Sequence, residues 1–160
     1  MIVVADTSPI NYLVLIGEIE LLSKLYLNIL IPPAVAEELK RPKALIAVQR
    51  WMASAPAWLN IVSPIGQPDA DLIDAELDDG ERDALLLAQE VNADQIIIDD
   101  MGGRLEAKRR HFQVTGTLGV LEAASKEGLV ELSGALLRLR QTNFHVSREL
   151  IDQLLKDSSS

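Results

Sequence analysis

Gln95-Ile96-Ile97-Ile98-Asp99-Asp100 joins a run of β-branched apolar residues to a pair of carboxylates. A short apolar run of this kind is typical of a fully buried strand in a parallel sheet. The segment Ile2-Val3-Val4-Ala5-Asp6 has the same form near the start of the chain. In parallel α/β sheets, ligands bind in the crevice beyond the carboxyl ends of the strands. The two segments therefore predict carboxylates at the edge of a sheet where ligands bind.

The rest of the chain alternates strand-like and helix-like patterns. Short strands are predicted at residues 2–5, 28–31, 60–63, 95–98 and 112–114, with helical patterns between them. This alternation predicts an α/β domain, in which a central parallel sheet is covered by helices on both faces. We expect residues 1–130 to form this core, residues 131–156 to add C-terminal helices to the same domain, and residues 157–160 to be a disordered tail.

The composition excludes several classes of protein. Apolar residues make up 48% and charged residues 24% of the 160 residues, which suits one globular domain and excludes an intrinsically disordered chain. The absence of cysteine excludes disulfide scaffolds and thiolate metal sites. No signal peptide or membrane-spanning run is recognisable, so we expect a cytoplasmic protein with no membrane partner. The net charge of −9 argues against a protein that coats duplex DNA, but is compatible with carboxylates that bind phosphate through divalent cations.

Further acidic residues lie on two predicted helices. Glu38 follows a predicted core valine by three positions, so it is expected to point inward, whereas Glu37 faces solvent. Asp6 has an alternative role, because it precedes a helix and Asp is a favoured N-cap. These positions leave a structural and a functional interpretation open for each acid.

The segment Gly80-Glu81-Arg82-Asp83 begins a strongly apolar helix. Asp83 shares helical rows with two leucines, so a carboxylate is expected on the apolar face, where it requires a cation or hydrogen-bond donors. Glu81 has the longer side chain and can reach from the start of the helix. The alternative is that both acids only favour the positive end of the helix dipole.

Together these acids predict a site of oxygen ligands for Mg²⁺ or Mn²⁺. Two such ions can activate water and stabilise the leaving oxygen in phosphodiester hydrolysis.

The order of these motifs resembles the PIN-domain nucleases, the fold of VapC-type toxins in bacterial toxin–antitoxin modules. Residues 2–9 resemble the opening strand with its metal-binding Asp, and residues 31–39 resemble the second motif, with its acid at Glu38. In the third motif, Asp83 matches the Asp-Ala-Leu form of many PIN toxins, and Glu81 matches the Gly-Glu form of a poorly characterised branch. Residues 96–100 resemble the fourth motif, and the run Thr-Gly-Thr-Leu-Gly-Val at residues 115–120 matches the same branch.

The resemblance implies a three-layer PIN-like fold and a Mg²⁺- or Mn²⁺-dependent endoribonuclease that acts on RNA. It also implies a homodimer and a small antitoxin partner. The expected catalytic residues and metal ligands are Asp6, Glu38, Glu81, Asp83 and Asp99, with Asp100 as a further metal ligand. The expected substrate contacts are Thr7, Ser8, Arg104, Lys108 and Thr115.

Two functions are alternatives to a metal-dependent endoribonuclease. The first is a PIN-like binding protein that acts through a protein partner and has little or no nuclease activity. The second is phosphoryl transfer with Asp6 as nucleophile, but the usual pattern requires a second Asp where Ser8 stands.

Overall fold

The computed structural model describes residues 1–145 and 147–158. Of Ser158 it describes only the backbone. In these ranges the strands are β1 (Val3–Ala5), β2 (Ile29–Ile31), β3 (Leu59–Ile61), β4 (Gln95–Ile97) and β5 (Gln113–Thr115). The helices are α1 (Thr7–Leu15), α2 (Leu21–Tyr26), α3 (Pro33–Lys40), α4 (Ile46–Ala53), α5 (Ala70–Asp74), α6 (Asp79–Glu90), α7 (Met101–Arg109), α8 (Thr117–Lys126), α9 (Leu132–Arg140) and α10 (Arg148–Ser158). Each described helix is too short or too polar to cross a bilayer.

All five strands run parallel, in the order β3-β2-β1-β4-β5. In the central pair, Val3 lies opposite Gln95 and Ala5 opposite Ile97. The chain builds the sheet outward from β1 in one direction and then from β4 in the other, so β1 and β4 flank a topological switch point. The backbone N–H of Asp6 extends this pairing by donating to the carbonyl of Ile97 at 2.9 Å. Asp6 therefore lies at the switch point itself.

Side chains of the strands alternate between two apolar clusters, one on each face of the sheet. Val3, Ala5 and Ile97 pack in the cluster that also contains buried residues of α1, α8 and α9. Val4 and Ile96 pack in the other cluster, against buried leucines of α6. Because both faces of each central strand are buried, the strands read as continuous apolar runs. The prediction of an α/β fold with helices on both faces of a parallel sheet is confirmed.

The C-terminal helices pack on the core rather than standing apart from it. Helices α9 and α10 contact α8, and Ile151 and Leu154 of α10 are buried in the first apolar cluster. Ser147 caps α10, since its hydroxyl accepts from the N–H of Leu150 at 3.1 Å. Helix α10 continues to Ser158, so the first half of the predicted tail is helical. The rest of that tail, residues 159–160, lies outside the described residues.

A buried arginine connects three helices on the α6 side of the sheet. The Nε of Arg110 donates to Glu106 at 2.8 Å, and its two Nη atoms donate to Asp69 and Gln89. The side chains of Arg110 and Glu106 are 12% and 8% exposed, respectively. This cluster ties the start of α5 and the end of α6 to α7.

We expect Arg110→Met to lower the free energy of unfolding by about 3 kcal/mol, because it leaves the Glu106 carboxylate buried without its main partner. Urea unfolding followed by circular dichroism measures this change. Arg109→Met is the matched control: Arg109 also contacts Glu106, but its side chain is 70% exposed, so its loss should cost less than about 1 kcal/mol. Equal losses in the two variants would contradict a structural role for the buried cluster.

Candidate active site

Asp6 directly follows β1, and it is almost completely buried, with 4% of its surface exposed. It occupies the N-cap position of α1, but its side chain makes no capping hydrogen bond, and Oδ1 has no hydrogen-bond partner. Burial raises the pKa of Asp6 well above its usual value, and the negative charges of Glu81, Asp78 and Glu38 add to this rise. The neighbouring N–H of Thr7 opposes it only in part. A buried carboxylate in this state requires a proton or a cation, so helix capping does not explain it.

Glu38 approaches this position from α3. It is half-buried while Glu37 is exposed, as the helical spacing predicts. Its Oε2 accepts a hydrogen bond from the Thr7 hydroxyl at 2.6 Å. The other oxygen lies against the start of α6, where a Cβ on Gly80 would stand 2.5 Å from Oε1. Gly80 therefore gives the Glu38 carboxylate room beside α6.

Glu81 lies in the first turn of α6, within a capping box. Its N–H donates to Asp78 at 2.8 Å, and its carboxylate accepts from the N–H of Asp78 at 3.1 Å. Partial burial raises the pKa of Glu81 to about 7, with smaller contributions from the charges of Asp78 and Asp100. Burial and the neighbouring negative charges thus both favour the protonated form of Glu81.

Asp83 lies apart from the acids described above. Its side chain is 27% exposed and contacts the Nε of Arg82 at 3.4 Å. It lines a separate cavity of about 510 Å³, together with Pro33 and Pro64. The expectation that Asp83 is buried on the apolar face is wrong, because the continuous buried stretch of α6 begins one residue later, at Ala84. Residues two apart on a helix point about 200° from each other, which separates Asp83 from Glu81.

Asp99 follows β4 and is held by the start of α8. The N–H and the hydroxyl of Thr117 donate to its two carboxylate oxygens at 2.7 and 2.6 Å. Burial raises the pKa of Asp99, while the Thr117 hydrogen bonds and the charge of Arg104 oppose the rise. A Cβ on Gly116 would stand 2.6 Å from Asp99 Oδ1, so a larger residue at this turn would displace the Asp99 carboxylate from the position observed.

Asp100 caps the next helix. Its carboxylate accepts from the N–H of Gly103 at 2.9 Å, at the start of α7. The residue is exposed, and its charge contributes to the raised pKa of Glu81. Asp100 therefore adds negative charge to the site while serving a structural role.

A cavity of about 890 Å³ opens at this edge of the sheet. Its lining includes the acids Glu81, Asp99, Asp100 and Glu122, and the expected substrate contacts Ser8, Arg104 and Thr115. Of the other two expected contacts, Thr7 is buried against Glu38, whereas Lys108 is exposed on α7, outside the lining formed by the described residues.

Several residues that the structure places in the site are not predicted from the sequence. Asp78 lies next to Asp6 and Glu81, and its only sequence signal is that of a helix cap. Thr117 donates hydrogen bonds to Asp99 and belongs to the Thr-Gly-Thr run, so that motif could have indicated its role in the site. Tyr12, Asn143 and Phe144 line the large cavity and have no local signal, because the fold brings them there from distant segments.

The donor set suits a hard divalent cation, since the candidate ligands are all carboxylate oxygens and one of them, on Asp6, is buried without a partner. Among the described residues, however, no three His, Asp or Glu side chains are grouped closely enough to hold an ion in the positions observed. Glu38, Glu81 and Asp99 each accept hydrogen bonds from the protein instead. An ion held by three or more of these carboxylates therefore requires some of the side chains to move from the positions observed.

No curated protein and no solved structure matches the sequence. A family model described as a PIN domain matches residues 2–160, which is nearly the whole chain. The parallel five-stranded sheet between helical layers agrees with that match. The chain therefore belongs to the PIN-domain family.

Proposed function

We propose that this PIN domain is a Mg²⁺- or Mn²⁺-dependent endoribonuclease that hydrolyses RNA phosphodiester bonds in the cytoplasm. The observation that carries the proposal is the buried carboxylate of Asp6 at the switch point of the sheet, whose Oδ1 has no hydrogen-bond partner. The raised pKa values of Asp6, Glu81 and Asp99 support it, because grouped carboxyl groups of this kind are typical of functional sites.

In this proposal Asp6, Glu38, Glu81 and Asp99 hold the ion, with Asp100 near the mouth of the cavity. The bound ion would supply an activated water and positive charge at the phosphodiester. Thr117 fixes the orientation of Asp99 by two hydrogen bonds. Arg104 and the hydroxyls of Ser8 and Thr115 line the cavity, where they can donate hydrogen bonds to the RNA backbone.

The resemblance to VapC-type toxins supports two extensions of this proposal. The first is that the protein is the toxin of a toxin–antitoxin module and is neutralised by a small antitoxin. The second is that it acts as a homodimer. A short neighbouring reading frame whose product suppresses cleavage would identify the partner.

A specific observation favours one alternative function. Because no three acidic side chains among the described residues are grouped as ion ligands, the chain also suits a PIN-like binding protein with little or no nuclease activity. Isothermal titration with Mn²⁺ separates the two functions, since an inert binding protein has no use for an ion at these carboxylates.

We expect Asp6→Asn to reduce Mn²⁺-dependent cleavage of an RNA oligonucleotide on the order of a hundredfold or more, because it removes the central ligand charge. The metal-free fold should be retained or stabilised, since the substitution removes a buried charge. Asp74→Asn, at an exposed aspartate on α5, is the matched control and should cleave at the parent rate. An Asp6→Asn protein with parental activity would exclude Asp6 as a ligand.

Glu81→Gln and Asp83→Asn should differ strongly. Glu81 lines the large cavity beside Asp99, whereas Asp83 lines the smaller cavity beside Arg82. We expect Glu81→Gln to weaken Mn²⁺ binding at least about tenfold and Asp83→Asn to leave it within about twofold. Isothermal titration measures both affinities. If Asp83→Asn proved the more damaging, the assignment of these two acids would have to be exchanged.

The metal-free protein should lose thermal stability as the pH rises from about 5 to about 7.5. Folding raises the pKa of Glu81 from 4.5 to about 7, so in this window the folded state binds more protons than the unfolded state. The raised pKa values of Asp6 and Asp99 act in the same direction. Mn²⁺ should raise the melting temperature more at the higher pH, because the carboxylates are then deprotonated.

Differential scanning fluorimetry in EDTA and in Mn²⁺ measures both effects. In Glu81→Gln the pH dependence in EDTA should be smaller than in the parent. A melting temperature that rises with pH in EDTA would contradict the raised pKa values of these carboxyl groups. A melting temperature indifferent to Mn²⁺ would contradict an ion site at them.

A further inference from the structure

The large cavity has a second wall that contains no acid. The C-terminal segment supplies this wall from residues 143–145 and 147–154, through Asn143, Phe144, His145, Ser147, Leu150 and Leu154. The carboxylates of Glu81, Asp99 and Asp100 line the same cavity. One continuous space therefore joins the carboxylates to a wall that combines the apolar residues Phe144, Leu150 and Leu154 with polar ones.

Specific contacts hold this wall against the core. The rings of Tyr12 and Phe144 meet edge to face, with their centroids 4.8 Å apart. The Tyr12 hydroxyl donates to Asn143 Oδ1 at 2.8 Å. Leu154 of α10 is only 9% exposed and packs in the apolar cluster that contains α8 and α9. These contacts pack the wall on the core of the domain.

Two apolar side chains of the lining remain open to solvent. Met101, at the start of α7, is 67% exposed, and Leu150, on α10, is 42% exposed. Val114 and Leu118 add half-buried apolar surface to the same cavity. A ligand that covers these side chains gains free energy by removing their surface from water. The volume of about 890 Å³ is within the range that takes a nucleotide-sized ligand.

We propose that Met101, Leu150 and the adjoining wall at Phe144 form a subsite for one unpaired nucleobase of the RNA. The inference rests on the proposed ribonuclease function, because the carboxylates then engage the phosphodiester through a cation. A neighbouring base of the same strand has flat apolar faces and a polar edge. Its faces suit Met101 and Leu150, and the side chains of Asn143 and His145 offer hydrogen bonds to its edge.

The test uses hairpin RNAs that carry a single bulged nucleotide. In one RNA the bulged base is 2-aminopurine, whose emission reports base stacking, and in the second the same position is an abasic ribose. A third RNA is fully paired. Binding to the parent protein is measured in Ca²⁺, under conditions in which gels detect no cleavage, and cleavage is measured separately in Mn²⁺.

We expect the RNA with the bulged base to bind about tenfold more tightly than the abasic and paired RNAs, with a change in 2-aminopurine emission. Leu150→Ala and Met101→Ala should each remove most of that preference. The matched controls are Leu137→Ala on α9 and Leu105→Ala on α7, which remove exposed leucines outside the lining formed by the described residues, and should keep the preference.

The experiment distinguishes failure of the base subsite from failure of the ribonuclease proposal. Equal binding of the base-containing and abasic RNAs, or equal effects of Leu150→Ala and Leu137→Ala, would overturn the base subsite, even if Mn²⁺-dependent cleavage is present. Base-dependent binding that Leu150→Ala removes, without cleavage of any RNA in Mn²⁺, would overturn the ribonuclease proposal and support the subsite.

Discussion

The carboxylate of Asp6 is buried at the point where the central strand ends, and one of its oxygens has no hydrogen-bond partner. Such a group opposes folding unless it is protonated or meets a cation. The sheet can hold it there because apolar side chains are packed on both faces of β1 and β4. The apolar packing thus fixes in place a group that is electrostatically unfavourable, which is a frequent relation between stability and function at active sites.

The surrounding acids are kept in place by polar groups of the protein itself. The Thr7 hydroxyl contacts Glu38, the Asp78 capping box holds Glu81, and Thr117 holds Asp99. These hydrogen bonds separate like charges that would otherwise repel one another at short range. In the proposed nuclease, the carboxylates of Glu38, Glu81 and Asp99 can exchange protein hydrogen bonds for contacts with the ion, whereas Oδ1 of Asp6 has no protein partner to give up.

The sequence was most informative where local pattern and burial coincide. The runs before Asp6 and Asp99 indicated central strands, because both faces of such strands are buried. Helical spacing also distinguished Glu38 from Glu37. The burial of Asp83 is not predicted correctly, because its spacing to leucines on α6 does not reveal that its side chain contacts Arg82 and lines a second cavity. The wall formed by Phe144 had no local signal, since only tertiary packing brings that residue to Tyr12.

The pairing of Val3 with Gln95 joins two segments that leave the ribosome far apart in time. While only the first half of the chain has been synthesised, β1 has no β4 beside it, and the backbone N–H of Asp6 lacks its partner on Ile97. Asp99 gains its two hydrogen bonds only after Thr117 has been added. Closing so long a loop is slow compared with forming the local helices. The candidate site therefore cannot be complete until the segment that contains Thr117 has been synthesised.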